Sequence, residues 1–213
     1  MENWSDKIFN ADAKGFNSLA LEIFRFQYQH NPIYRSFADL VHKQPSNVSV
    51  ITEIPFLPVS FFKTEQVRTT EFDPQAIFES SGTTQTVNSH HLVKDIELYR
   101  QSFLKGFESF YGDVTDWCII GLLPSYLERE NSSLVYMANE LIKKSAHPSS
   151  GFYLYELDKL AVVLEELETA KQKTLLLGVS FALLDLSEKH PMPLQHTAIM
   201  ETGGMKGRRE ELV

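Results

Sequence analysis

Between residues 16 and 29, Phe16, Leu19, Ala20, Ile23, Phe24, Phe26 and Gln27 are read at helical spacing, and Tyr28 joins the apolar stripe. The spacing predicts a helix. Asn31-Pro32 stops it, because the residue before a proline is driven out of helical backbone. A second, shorter helix is expected over 33–40. The stretch Ile54-Pro55-Phe56-Leu57-Pro58-Val59-Ser60-Phe61-Phe62-Lys63 carries two prolines three apart, which bars an interior helix or a central strand. It reads as an extended segment buried by its aromatics and leading into a short helical turn.

Further along, the pattern becomes regular. Ile96, Leu98, Tyr99, Phe103, Leu104 and Phe107 predict a helix over 94–111, ending near Gly112. Residues 117–123 form a continuous apolar run, as a buried parallel strand would, and Pro124-Ser125-Tyr126 breaks it. A helix over 132–144 follows, with Leu134, Val135, Met137, Ala138, Leu141 and Ile142 inward and lysines near the end that suits the helix dipole. Then come a short strand over 152–155, a helix over 157–170, a buried strand over 174–179, a helix over 181–189 and a last strand over 197–200. Strands alternating with helices of this length imply βαβ units. The expected fold class is α/β: a helical lead-in over 1–50, then a mostly parallel sheet flanked by helices over 51–213. The chain stops in mid-pattern at Glu211-Leu212-Val213, which reads as a truncation.

Composition narrows the functional classes. With 213 residues, 43% hydrophobic and 23% charged, the chain can bury a sizeable core. A net charge of −8 argues against a nucleic-acid partner, since phosphate backbones need a basic face. One cysteine rules out an internal disulfide and points to a reducing compartment. The acidic start Met1-Glu2-Asn3-Trp4 has no signal-peptide pattern, and no apolar run has the length of a membrane span. A soluble, cytoplasmic protein is expected.

The chemistry concentrates in Phe78-Glu79-Ser80-Ser81-Gly82-Thr83-Thr84-Gln85, which lies between the apolar Ala76-Ile77-Phe78 and the strand-like His91-Leu92-Val93. Glycine admits a sharp turn and close approach of a ligand. Hydroxyls and successive backbone N–H groups can cradle an anion. Such a run is either a loop that wraps the phosphates of a nucleotide or a polar surface turn. It lacks the Gly-Lys-Ser/Thr of a Walker loop. Ligands of open parallel sheets bind beyond the carboxyl ends of strands. The 80–84 loop, the break at 124–126, the Val179-Ser180 corner and Glu201-Thr202-Gly203-Gly204 all follow expected strands, so they are expected to gather along one rim.

These residues resemble the adenylate-forming acyl-activating enzymes, in particular the acyl-protein synthetase of bacterial luminescence and its phenylacetate–CoA ligase relatives. Five stretches carry the resemblance in order: Ile54-Pro55-Phe56-Leu57-Pro58; Phe78 through Thr84; Leu123-Pro124-Ser125-Tyr126-Leu127-Glu128-Arg129 with Ser132-Ser133-Leu134-Val135-Tyr136-Met137; Leu177-Gly178-Val179-Ser180-Phe181; and Glu201-Thr202-Gly203-Gly204-Met205-Lys206-Gly207. The resemblance implies a ligase whose carboxylic acid substrate, fatty or aromatic, attacks ATP to give an acyl-adenylate and pyrophosphate. A thiol, either a protein cysteine or CoA, then takes the acyl group. It implies that Ser80, Ser81, Gly82, Thr83 and Thr84 hold phosphates and that Gly203, Gly204 and Met205 line the nucleotide pocket. Ser125, Tyr126, Val179 and Ser180 would be substrate walls.

Gln85 departs from the family's usual glycine. The family's Tyr-Gly-x-Thr-Glu motif, which meets phosphate and Mg²⁺, its ribose-binding aspartate and its C-terminal lysine have no counterpart here. The chain therefore reads as the front part of such a ligase, with no catalytic residue or metal ligand of its own and no turnover alone. Two readings keep the fold without the reaction: a nucleotide- or acyl-binding module that releases no pyrophosphate, and a structural domain that ignores ATP and CoA. Elsewhere Cys118 reads as a buried thiol, and His90 and His91, adjacent on a strand, face opposite ways and cannot share a metal. Glu165, Glu166 and Glu168 read as the solvated face of a helix, and Lys206, Arg208 and Arg209 as solvated charges.

Overall fold

The computed structural model describes residues 4–80, 88–123 and 131–203. The chain divides into two units, Met1–Tyr99 and Arg100–Val213.

The first unit contains α1 (Trp4–Phe9), α2 (Phe16–His30), α3 (Pro32–Leu40), the short α4 (Phe61–Thr64), and two strands, β1 (Ala76–Glu79) and β2 (His90–Val93). Asn31 both ends α2 and starts α3. Its backbone is extended, its side-chain oxygen accepts the Tyr34 N–H at 3.0 Å, and Pro32 fills the first helical turn. Phe24, Tyr34 and Val48 form the core, with Leu21, Tyr28, Phe37, Ile54 and Leu57 packed around them. The Tyr34 hydroxyl donates to the Pro55 carbonyl at 2.7 Å, and burial pushes its pKa up to about 12.

The proline-rich segment departs from expectation. It is extended and leads into a helical turn, and Phe61 and Phe62 are half-buried against Phe37 and His91, but Phe56 is 82% exposed and Val59 79%. Ile54 and Leu57 pack inward instead. Two inward and two outward side chains, each pair three residues apart, follow the threefold period of polyproline-type backbone. A second departure concerns β1. It pairs antiparallel with β2, Ala76 opposite Val93 and Glu79 opposite His90, in a two-stranded sheet.

The second unit is a four-stranded parallel sheet in the order β4-β3-β5-β6: β3 (Cys118–Leu122), β4 (Gly151–Phe152), β5 (Thr174–Val179) and β6 (Thr197–Thr202). The connecting helices are α6 (Ser133–Ser145), α7 (Leu157–Thr169) and α8 (Ser180–Lys189), and α5 (Ile96–Tyr111) leads into the unit. Every residue of β3 and β5 is buried, as their unbroken apolar runs require of strands covered on both faces. Ile119 and Leu175, paired in register, pack with Phe107 of α5 and Leu141 of α6. Ile120, Leu122 and Leu176 pack with Leu160 and Leu164 of α7 and with Phe181 and Leu186 of α8. Strand β6 runs to Thr202, two residues beyond the expected end, and β4 begins one residue early. Among the described residues no helix is long and apolar enough to cross a membrane.

Glu168 corrects the reading of the α7 carboxylates. It accepts from the Gln195 and His196 amides at 2.8 and 3.0 Å and from the Thr197 hydroxyl at 2.7 Å, pinning the start of β6. Partial burial acts to raise its pKa, but these donors and the nearby His196 outweigh it and hold the carboxyl below its ordinary value. The contribution of Glu168 to stability is therefore complete above the ordinary glutamate pKa of 4.5 and is lost as pH falls through the depressed folded value. In melting curves, Glu168→Gln is expected to lie below wild type at neutral pH, with the gap closing in acid.

Candidate functional site

In the second unit, β3 and β5 are neighbours, yet their outgoing connections part. The helix after β3 leads to β4 on one side, and the helix after β5 leads to β6 on the other. This is a topological switch point, and open parallel sheets bind their ligands beyond the carboxyl ends of the strands at such a place. The last ladder pair there is Leu122 with Gly178. Gly178 is where helix and sheet meet most closely: a Cβ on it would lie 2.7 Å from Leu183 Cγ and 3.2 Å from Leu122 Cβ. Its lack of a side chain lets α8 begin directly at the end of β5.

Ser180 is the first residue of α8. Val179 before it is extended, and its side chain gives no cap to the amides of the first helical turn. Such amides, at the positive end of a helix, attract negative groups. The Ser180 hydroxyl lies within hydrogen-bonding distance of both Glu201 Oε1 and the Gly203 carbonyl, and with one proton it donates to one at a time. Gly203 has φ +74, the left-handed backbone that suits glycine, so the chain turns sharply where β6 ends. Ser180 thereby ties the end of β5 to the turn after β6. Val179 is 2% exposed in the core and reaches this edge only through its backbone.

Ser80, near the start of the hydroxyl-rich stretch, stands at the end of a strand of a different sheet. Ser80 directly follows β1, and its N–H donates to the Ser89 carbonyl at 3.1 Å while the Ser89 N–H returns to Ser80 Oγ at 3.1 Å. These bonds close the base of an antiparallel pair. Strand β1 returns alongside β2 and is not a strand of the parallel sheet, so the 80–84 segment does not follow one of that sheet's strands. The break at 124–126 lies outside the described residues, and Ser180 and Gly203 meet at the ends of adjacent strands. Of the residues singled out from the sequence, Ser80, Val179, Ser180 and Gly203 are described. Ser81, Gly82, Thr83, Thr84, Ser125, Tyr126, Gly204 and Met205, with Lys206, Arg208 and Arg209, lie outside the described residues.

Cys118 is fully buried in β3, with the Ser150 hydroxyl 3.7 Å from its sulfur, and burial pushes the thiol pKa up, the opposite of what a nucleophile needs. His90 and His91 have separate surroundings: His90 sits 3.7 Å from Glu79, and His91 packs edge-on against Phe62. Among the described residues no three His, Cys, Asp or Glu side chains come together to hold a metal ion. Sequence reasoning had placed Glu201 in a loop and missed its contact with Ser180. The run Thr197-Ala198-Ile199-Met200-Glu201-Thr202 shows no polar–apolar alternation that would have carried the strand through Glu201, although Ile199 and Glu201 are its two exposed residues.

The family described as "Acyl-protein synthetase, LuxE" matches residues 4–171. A long-chain-fatty-acid–luciferin-component ligase of Photorhabdus luminescens is 38% identical over 66 residues, which is 30% of this chain and 56% of that protein. The match thus spans little more than half the length of this curated relative. No solved structure matches.

Proposed function

Since the chain belongs to the LuxE acyl-protein synthetase family, we propose that it supplies nucleotide- and acyl-handling elements of an AMP-forming, ATP-dependent ligase. In this reading a fatty acid carboxylate attacks the α-phosphorus of ATP, the bond to the β-phosphate oxygen breaks, and pyrophosphate leaves. A thiolate, of a protein cysteine or of CoA, then attacks the acyl carbonyl and AMP departs. The single observation that carries the reading is the switch point. The segments after β3, β5 and β6 that the resemblance assigns to the substrate pocket follow the carboxyl ends of parallel strands, where open sheets bind their ligands. The Photorhabdus relative, a long-chain-fatty-acid ligase by name, favours a long-chain acid.

The described groups fit such a ligand. The start of α8 turns the positive end of a helix toward a negative group, and the turn at Gly203 leaves room without a side chain. Ser80 and the residues after it are assigned to the β- and γ-phosphates, and Gly203 with Gly204 and Met205 to the nucleotide pocket. Mg²⁺ would neutralise the triphosphate, and no residue of this chain is assigned to it. Positioning and charge neutralisation carry most of the rate in phosphoryl chemistry, so these groups need no covalent role.

The test uses the complete protein with hydroxylamine, ATP and a panel of straight-chain and aromatic acids. Acid-dependent hydroxamate with stoichiometric AMP supports the reading. ADP in place of AMP, or no hydroxamate with any acid, contradicts it. Ser180→Ala removes one polar tie and leaves the core untouched. It is expected to raise the apparent KM for ATP or acid about tenfold, the effect of losing a charge-assisted hydrogen bond, with little change in melting temperature.

A further inference from the structure

The first unit holds a pocket of about 370 Å³, within the usual span for small-molecule sites and sharing no residue with the switch point. Its lining is divided. Leu57, Val67, Phe62 and Phe72 give it apolar walls, while Lys94, Arg68 and His91 give it a basic side. No aspartate or glutamate is among the described lining residues, in a chain whose net charge is −8.

The polar floor is already built. Buried Asn31, 4% exposed, spends its oxygen on the Tyr34 amide and directs its amide nitrogen at the Thr69 hydroxyl, which in turn donates to Gln27 Oε1 at 2.5 Å. That chain orients the Gln27 amide nitrogen, which meets no acceptor among the described residues and remains a donor for a ligand. The cations differ in their pairing. Arg68 is held 2.5 Å from Glu71, a residue outside the lining. Among the described residues Lys94 meets no carboxylate; its ammonium lies 3.5 Å from the Thr70 hydroxyl and 5.8 Å from the centre of the Phe72 ring. Thr70 itself is held at φ +68, with its N–H donating to the His30 carbonyl at 2.9 Å, so the segment that carries Arg68 and Thr69 is fixed against α2. A cation ligand finds nothing here to neutralise it. An anion finds an unpaired ammonium beside an apolar cavity, an arrangement in which a charge-assisted bond is worth most.

We propose that this pocket binds an organic anion, with a carboxylate or phosphate head met by Lys94 and a compact apolar body held by Phe62, Phe72, Val67 and Leu57. It is a second site, distinct from the reaction placed at the switch point and independent of that reading.

The test is titration of the full chain with octanoate, octyl phosphate and octyltrimethylammonium, followed by amide chemical shifts and calorimetry. One or both anions should saturate, with shifts at Leu57, Val67, Thr69 and Leu92, and which anion does so distinguishes a carboxylate from a phosphate ligand. The ammonium probe should fail. Lys94→Met keeps the aliphatic stem over Phe72 and removes the charge; it should weaken the anion binding read at Leu57, Val67 and Leu92 about tenfold, whereas Gly106→Ala should leave it unchanged. Binding of all three probes alike, undiminished anion binding by Lys94→Met, or anion shifts absent from Leu57, Val67 and Leu92 would each overturn the proposal. A failed hydroxamate assay with these shifts intact would remove the ligase reading and leave this site standing.

Discussion

Replacing Gly178 with valine is expected to destabilise the second unit by about 3 kcal/mol, the upper end of the usual cost of overpacking a core. The reason is distance. A Cβ at this position would stand 2.7 Å from Leu183 Cγ, 2.8 Å from Leu183 Cδ2 and 3.2 Å from Leu122 Cβ. Leu183 would have to leave the core against which it packs, and Leu122 is fully buried in the neighbouring strand. Valine adds two further methyl groups, so α8 must lift away from β5 and carry Ser180 with it. Urea denaturation should show a lower midpoint at an unchanged slope. The control is Gly106→Ala in α5, where an added Cβ meets nothing within 4 Å. That change should be neutral or stabilising by up to about 1 kcal/mol from helix propensity.

The second large effect is catalytic. In the complete protein, Gly82→Val is expected to lower adenylation about 10²- to 10³-fold, comparable to removing a donor from a preorganised anion site. A β-branched side chain restricts the backbone and blocks close approach of a phosphate. Melting should be little changed, because the Ser80–Ser89 bonds that close the β1–β2 pair do not involve residue 82. The check is the initial rate of acid-dependent AMP formation at equal concentrations of folded protein. Wild-type rates in this variant would take the hydroxyl-rich stretch out of the mechanism.

The two variants also mark what the sequence could and could not tell. Long periodic segments read correctly because burial alone decides them. The apolar run that became β5 has the expected limits, Thr174–Val179, and the stripe from Phe16 became α2. Short segments carry too little periodicity to choose a partner. Ala76–Glu79 is four residues long, and its antiparallel partner lies across ten intervening residues, far beyond a two-residue hairpin signal, so nothing local announced the pairing. The outward Phe56 was misread because a proline-spaced segment turns every third residue inward, which exposes an aromatic that composition alone would bury.

At the candidate site, residue types pointed to the positions but not to their contacts. Ser180 and Gly203 stood out as hydroxyl and glycine after strands. Their mutual bond, and the share Glu201 takes in it, depends on β5 and β6 being adjacent, with Gly178 opposite Glu201 in the ladder. Glu168 was hidden for the same reason. On α7 it looks like any solvated charge; only the arrival of residues 195–197 supplies its donors.

The central claim is that this chain works on an acyl-adenylate, and ATP–pyrophosphate exchange tests it most directly. The complete protein with ATP, Mg²⁺ and labelled pyrophosphate should move label into ATP only when a fatty or aromatic acid is present, and without any thiol acceptor. Exchange that ignores the acid, or no exchange with any acid from a folded protein, would contradict the account.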